Sequence, residues 1–205
     1  MVIRPEAIAR IEAAIAATEP SSRAELVAMI AQRAGHYRAT GLAGAILGAL
    51  VAGLLLASFG PWMTISQVLL VQLVTFAVIY GLLELTPFGD RLTPATLKIN
   101  SARRLAQSSF LEHGLAATPE RTAILFFVSL AEHHVEIIAD SGIHGRVAEG
   151  EWRRIVDAFT AKVRAGDVEG GFIAAINDLG ALLAQHYPRD AAHADSVPNR
   201  LILLP

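Results

Sequence analysis

AILFFVSLAEHHVEIIAD, residues 123–140, decides the fold. AILFFVSL (123–130) is apolar at every position but Ser129, so a strand here is covered on both faces and lies inside a sheet. The four residues Ala131-Glu132-His133-His134 turn the chain. VEIIAD (135–140) then alternates, with Val135, Ile137 and Ala139 on one side and Glu136, Ile138 and Asp140 on the other. Two strands so closely joined form a β-hairpin, ended by Ser141-Gly142. A second doubly apolar stretch, AELVAMIA (24–31), supplies another interior strand.

Helices flank these strands. Residues 5–18 carry Ile8, Ile11 and Ile15 on one stripe, with Pro5 in the first turn and Glu19-Pro20 at the end. Residues 95–113 form a helix with Leu97, Leu105, Phe110 and Leu111 as its apolar positions, stopped by Gly114. Residues 149–164 place Trp152, Ile155, Val156, Phe159 and Val163 together, and Gly166-Asp167 divides them from a last helix, 168–187, before Pro188. Residues 188–205 read as a mostly disordered tail, with the terminal Leu201-Ile202-Leu203-Leu204 too short to span a membrane and either free or docked. Interior strands with helices for both faces define an α/β fold, an α/β/α sandwich.

One region does not fit a sandwich. From Ala39 to Leu83 there is no Asp, Glu, Lys or Arg. TGLAGAILGALVAGLLLASF (40–59) and ISQVLLVQLVTFAVIYGLL (65–83) are separated by Gly60-Pro61-Trp62-Met63-Thr64. Helices of roughly 20 residues cover the ~30 Å hydrocarbon core of a bilayer, so residues 39–84 read as a transmembrane helical hairpin. Tyr37 and Tyr80 at one end and Trp62 at the other suit the two interfacial belts. Arg23, Arg33, Arg38, Arg91, Lys98, Arg103 and Arg104 flank the open end while the turn has no basic residue, which puts both termini on the cytoplasmic side. The hairpin then interrupts one discontinuous domain made of residues 1–38 and 85–187, because neither piece can bury its strand alone.

Within the hairpin, Gly44, Gly48 and Ala52 form a small-residue stripe, with Ala45, Ala49 and Gly53 beside it. Such stripes let helices approach closely in lipid. The partner is the second span of the same chain, a second copy or another membrane protein, and Gln67, Gln72 and Thr75 can hydrogen-bond across such a contact. With no ionisable residue in the spans, a proton or ion pathway has nothing to work with.

The totals narrow the function. Of 205 residues, 53% are hydrophobic, and the mean hydropathy is +0.46. A net charge of −2 without a basic cluster beyond the membrane flanks argues against nucleic acid. The absence of cysteine excludes disulfides and thiolate chemistry. The N-terminus alternates apolar residues with Arg and Glu and is not a cleavable signal peptide, so the first apolar run would target the chain to the membrane.

ILFFVSLAEHHVEIIADSGIHGRV (124–147), EGEWRRIVDAF (149–159) and FIAAINDLGALLAQHYP (172–188) resemble the TPM domain family in order and spacing, and SSRAELVAMIAQRAGHYR (21–38) is similar to its first strand. A two-helix insertion after that strand resembles a bacterial membrane-protein branch of the family. The resemblance implies an α/β/α sandwich. It also implies either acid phosphatase activity or calcium binding, as in some members, or an accessory role in maintaining membrane complexes, as in others. No acidic loop here matches a calcium site.

The densest polar group is Glu132, His133, His134, Glu136, Asp140 and His144. His134, Glu136 and Asp140 share strand parity and could hold a divalent metal that activates water for phosphate-ester hydrolysis. Asp140, Glu136 and His144 are the candidate catalytic groups. Arg121, before the central strand, could bind a phosphate. Against this stands the simpler reading of Glu132, His133 and His134 as solvated turn residues, Asp140 as a turn cap and Arg121 as a salt-bridge partner. Ser129 and Thr122 lack the context of a nucleophile, and no glycine-rich loop ends in Lys-Ser/Thr. Two functions follow: a membrane-anchored domain with an accessory, protein-interaction role at the cytoplasmic face, or a metal-assisted phosphatase.

Overall fold

The computed structural model describes residues 4–35, 37–59, 62, 64–86, 93–118, 120–189 and 201–204. The chain divides into two compact units, Met1–Ala34 with Ile99–Pro205, and Gly35–Lys98.

In the first unit the elements are α1 (Pro5–Thr18), β1 (Glu25–Ala31), α4 (Ala95–Glu112, entered from the other unit), β2 (Ala123–Ser129), β3 (His134–Ala139), the one-turn α5 (Ser141–His144), α6 (Glu149–Arg164), α7 (Val168–His186) and β4 (Ile202–Leu204). The sheet order is β3-β2-β1-β4. β1 and β2 run parallel from Glu25↔Ala123 to Ala31↔Ser129, and β3 returns antiparallel with Ser129↔His134 and Ile124↔Ala139. Every residue of β1 and β2 is buried, as their doubly apolar composition requires.

Two cores follow from the pleat. Leu26, Ala28, Ile30, Ile124, Phe126 and Val128 meet Ile11 and Ile15 of α1, Ile155 and Phe159 of α6, and Phe172, Ile176 and Leu179 of α7. Phe126, Phe159 and Phe172 pack edge to face with centroids 5.0–5.6 Å apart, each pair adding about 1 kcal/mol to simple burial. The opposite face, with Val27, Met29, Leu125 and Phe127, is covered by Ala102, Ala106 and Phe110 of α4 and by Leu115. The α/β/α sandwich is therefore present.

Two local expectations change. α4 does not bury Leu97 or Leu111, which are 46% and 66% exposed; its sheet-facing stripe is Ala102, Ala106, Ser109 and Phe110. Small residues there leave room for the bulky Met29, Leu125 and Phe127 opposite. The end of the tail takes the docked alternative, and as a strand: Leu201 is buried and Ile202–Leu204 add a parallel edge strand, with Gln32 N–H donating to Leu204 O at 3.0 Å. Residues 190–200 lie outside the described residues.

The second unit contains α2 (Arg38–Phe59) and α3 (Ile65–Leu85). Gly60, Pro61 and Met63 of the connecting turn lie outside the described residues. Thr64 caps α3 in a capping box with Gln67, so Gln67 serves its own helix end and not a cross-helix contact. Leu83, Ile79 and Gln72 of α3 lie over Gly44, Gly48 and Gly53 of α2: an added Cβ would come within 3.4, 2.4 and 1.9 Å of them. Gly44 and Gly48 of the small-residue stripe, and Gly53 beside it, thus face α3. The outer faces are leucine-rich and exposed, with Leu54 at 69% and Leu73 at 65%, and α3 has no buried residue. Both helices are long and apolar enough to cross a membrane.

Candidate functional site

The polar residues singled out from the sequence fall at three separate places on the α/β unit. The first is the edge where β1 and β2 begin. Asp140 follows β3, and its backbone N–H donates to Ala123 O, which closes the hairpin. Its side chain is 5% exposed and caps α5, accepting from Ser141 N–H at 2.6 Å and from the Ser141 hydroxyl at 3.2 Å. Arg121 Nε donates to both Asp140 oxygens at 3.0 and 2.9 Å. Arg121 sits at a φ of 56°, which turns its carbonyl to accept from Gly142 N–H. Gly142 is required there, since a Cβ would meet the Arg121 and Glu120 carbonyl oxygens at 2.5 and 2.7 Å. The Tyr187 hydroxyl donates to Gly142 O, and Arg146 lies over the Tyr187 ring at 5.3 Å. Asp140 and Arg121 do converge, but on one another, and each oxygen of Asp140 is engaged in holding the turn. His144 ends α5; its side chain lies outside the described residues.

The second place is the α4 side of β3. His134 Nε2 lies 3.1 Å from Glu136 Oε2, and Arg103 Nε donates to Glu136 Oε1 at 3.3 Å. The hydrogen bond from His134 and then the Arg103 charge hold the Glu136 carboxyl below its ordinary range, against the opposing effect of burial. Glu136 and Asp140 are four residues apart along the chain, roughly 13 Å at strand rise, so His134, Glu136 and Asp140 do not meet around one point. Among the described residues no three His, Asp or Glu side chains gather as metal ligands. His134, Glu136 and Asp140 therefore do not form the divalent-metal ligand set that their strand parity suggested.

The third place is the end where β1 and β2 finish. Glu132 is buried there and not solvated: it accepts from the Ser129 hydroxyl and from Ala34 N–H at 2.9 Å. Leu130 and Ala131 N–H groups donate to Ala31 and Gln32 carbonyls, fastening the hairpin turn to the end of β1. The Ser-x-x-Glu spacing of Ser129 and Glu132 was the available signal, because that pairing closes turns as it closes helix starts. Beside this turn opens a cleft of about 920 Å³ between the ends of the strands and the α6–α7 corner. Sequence reading did not find it, since its walls come from three segments distant along the chain, residues 32–33, 128–135 and 159–168.

The comparisons agree with this architecture. Residues 92–182 match the family model described as the TPM domain. The chain therefore carries a TPM domain, and the match begins just beyond the apolar hairpin and ends within α7. No curated protein matches the chain. Among solved structures, the NMR structure of BA42 protein from the psychrophilic bacterium Bizionia argentinensis sp. nov. is similar, with a TM-score of 0.62, 14% identity, and coverage of 99% of this chain and 96% of that one. At such identity the likeness is one of fold.

Proposed function

We propose that the protein is a membrane-anchored TPM domain with an accessory, protein-interaction role at the cytoplasmic face of the bacterial inner membrane. α2 and α3 cross the bilayer, and both termini stay inside. One observation carries this reading: two helices of 22 and 21 residues bury almost nothing of their leucine-rich outer faces. In water such faces would cost roughly 25 cal/mol per Å², whereas lipid chains solvate them. The arginines of the flanks and the exposed Trp62 of the turn support the orientation. We assign the Gly44, Gly48 and Ala52 stripe to the contact between α2 and α3 of one chain, not to a second copy. The accessory role is favoured over hydrolysis because Asp140 and Arg121 neutralise each other and Glu136 is held by His134 and Arg103.

The chain has no cysteine, so Trp62→Cys creates a single label site. A membrane-impermeant maleimide added to intact spheroplasts is expected to react with it; reaction only after permeabilisation would reverse the orientation. The purified full chain in detergent, assayed on a generic phosphate ester with and without divalent metal, is expected to give no metal-dependent turnover. Turnover lost in Glu136→Gln would replace the accessory role with a phosphatase.

A further inference from the structure

The cleft at the carboxyl ends of β1 and β2 lies wholly within the α/β unit and has no part in the function proposed above. Its position is where open sheets with parallel strands take ligands, because strand ends and diverging connections leave a crevice there. Its volume, about 920 Å³, falls in the range of small-molecule sites. Buried Val128, Phe159 and Val168 make an apolar floor. The charged residues that line it are Arg33, His133, His134 and Arg164, with no Asp or Glu among them. His134 is matched to Glu136, but Arg164 and the His133 imidazole have no ion pair or side-chain hydrogen bond among the described residues. Two acids that adjoin lining residues in the chain have partners of their own: Glu132 accepts from Ser129 and Ala34 N–H, and Asp167 from Gly170 N–H beside Lys162. An apolar floor edged by Arg164 and His133, which no acid of the described residues pairs, complements one kind of molecule.

We propose that this cleft binds a small amphipathic anion, an apolar ring or chain bearing a single carboxylate or phosphate. The apolar body lies on Val128, Phe159 and Val168, and the acidic head pairs with Arg164 and His133 at the rim. Arg164 at the end of α6 offers a guanidinium fork that suits either head.

The test uses the full chain in phosphatidylcholine nanodiscs, with empty nanodiscs as blank, and 1-naphthoate as the probe in equilibrium binding. Naphthalene-1-methanol reports the apolar part alone, and inorganic phosphate the charge alone. Naphthoate is expected to bind at least about tenfold tighter than either control. Arg164→Gln is expected to weaken naphthoate about tenfold and leave the alcohol unchanged, whereas Thr160→Trp, which fills the cleft from α6, weakens both. Unchanged melting temperatures show that both variants are folded. If the alcohol or phosphate binds as tightly as naphthoate, or if neither substitution alters naphthoate binding in a folded variant, the proposal fails.

Discussion

Glu136 is a strand residue whose charge is useful only in the fold. His134 and Arg103 hold its carboxyl below its ordinary range, so the folded state binds the proton less readily than the unfolded chain. A lowered value adds stability above the unfolded-state value, about 4.3, and that stability is lost as pH falls through the folded value. Wild type is therefore expected to exceed Glu136→Gln by up to about 1 kcal/mol at pH 6–7, with the two melting curves converging below pH ~4. A constant gap across that range would mean that packing and not charge is responsible. Gly142 has a harder constraint, since its Cα faces two backbone carbonyls that cannot swing aside. Gly142→Ala is expected to lower stability by about 1–3 kcal/mol in chemical denaturation. An unaffected midpoint would show that the Arg121 turn relaxes freely. Asp140 was visible in the sequence as either a cap or an acid. Its neighbours made the choice, and Arg121 arrives from 19 residues away.

At the scale of elements, α2 and α3 meet by close packing at small residues, the kind of contact that the membrane-anchored reading proposed above requires, since lipid supplies no apolar driving force between helices. Gly53 lies against Gln72 and Gly48 against Ile79. Gly53→Leu is expected to push α2 and α3 apart and lower the melting temperature of the detergent-solubilised chain, while Leu54→Ala on the exposed face leaves it near wild type. Equal effects from both would mean that the glycine contact is incidental. The length and composition of both helices were legible from the absence of charge between Ala39 and Leu83. β4 was not legible, because a three-residue strand carries no periodicity and is recruited only by the free edge of β1 at Met29–Ala31.

For the molecule as a whole, the central pairing joins residues 98 apart in the chain, such as Val27 and Leu125. Among the described residues, β2 has its parallel partner in β1. A fragment beginning at residue 92, where the match to the TPM domain begins, is therefore expected to be insoluble or molten, with poorly dispersed amide resonances. A well-dispersed spectrum from that fragment would show that β1 is dispensable.

Composition and periodicity by themselves determined the hairpin, the two interior strands, the β2–β3 turn and four of the helices, since each depends on the burial pattern of neighbouring residues. Where the polar groups would meet was decided by tertiary structure alone. His134, Glu136 and Asp140 share strand parity, yet parity says nothing about distance along the strand or about which side chains arrive from other elements. Arg121 and Arg103 claimed two of those acids, and Glu132 was drawn beneath the turn by Ser129 and Ala34. The cleft also exists only once β1, β2, α6 and α7 are brought together, because a cavity belongs to the packing and has no residue pattern of its own.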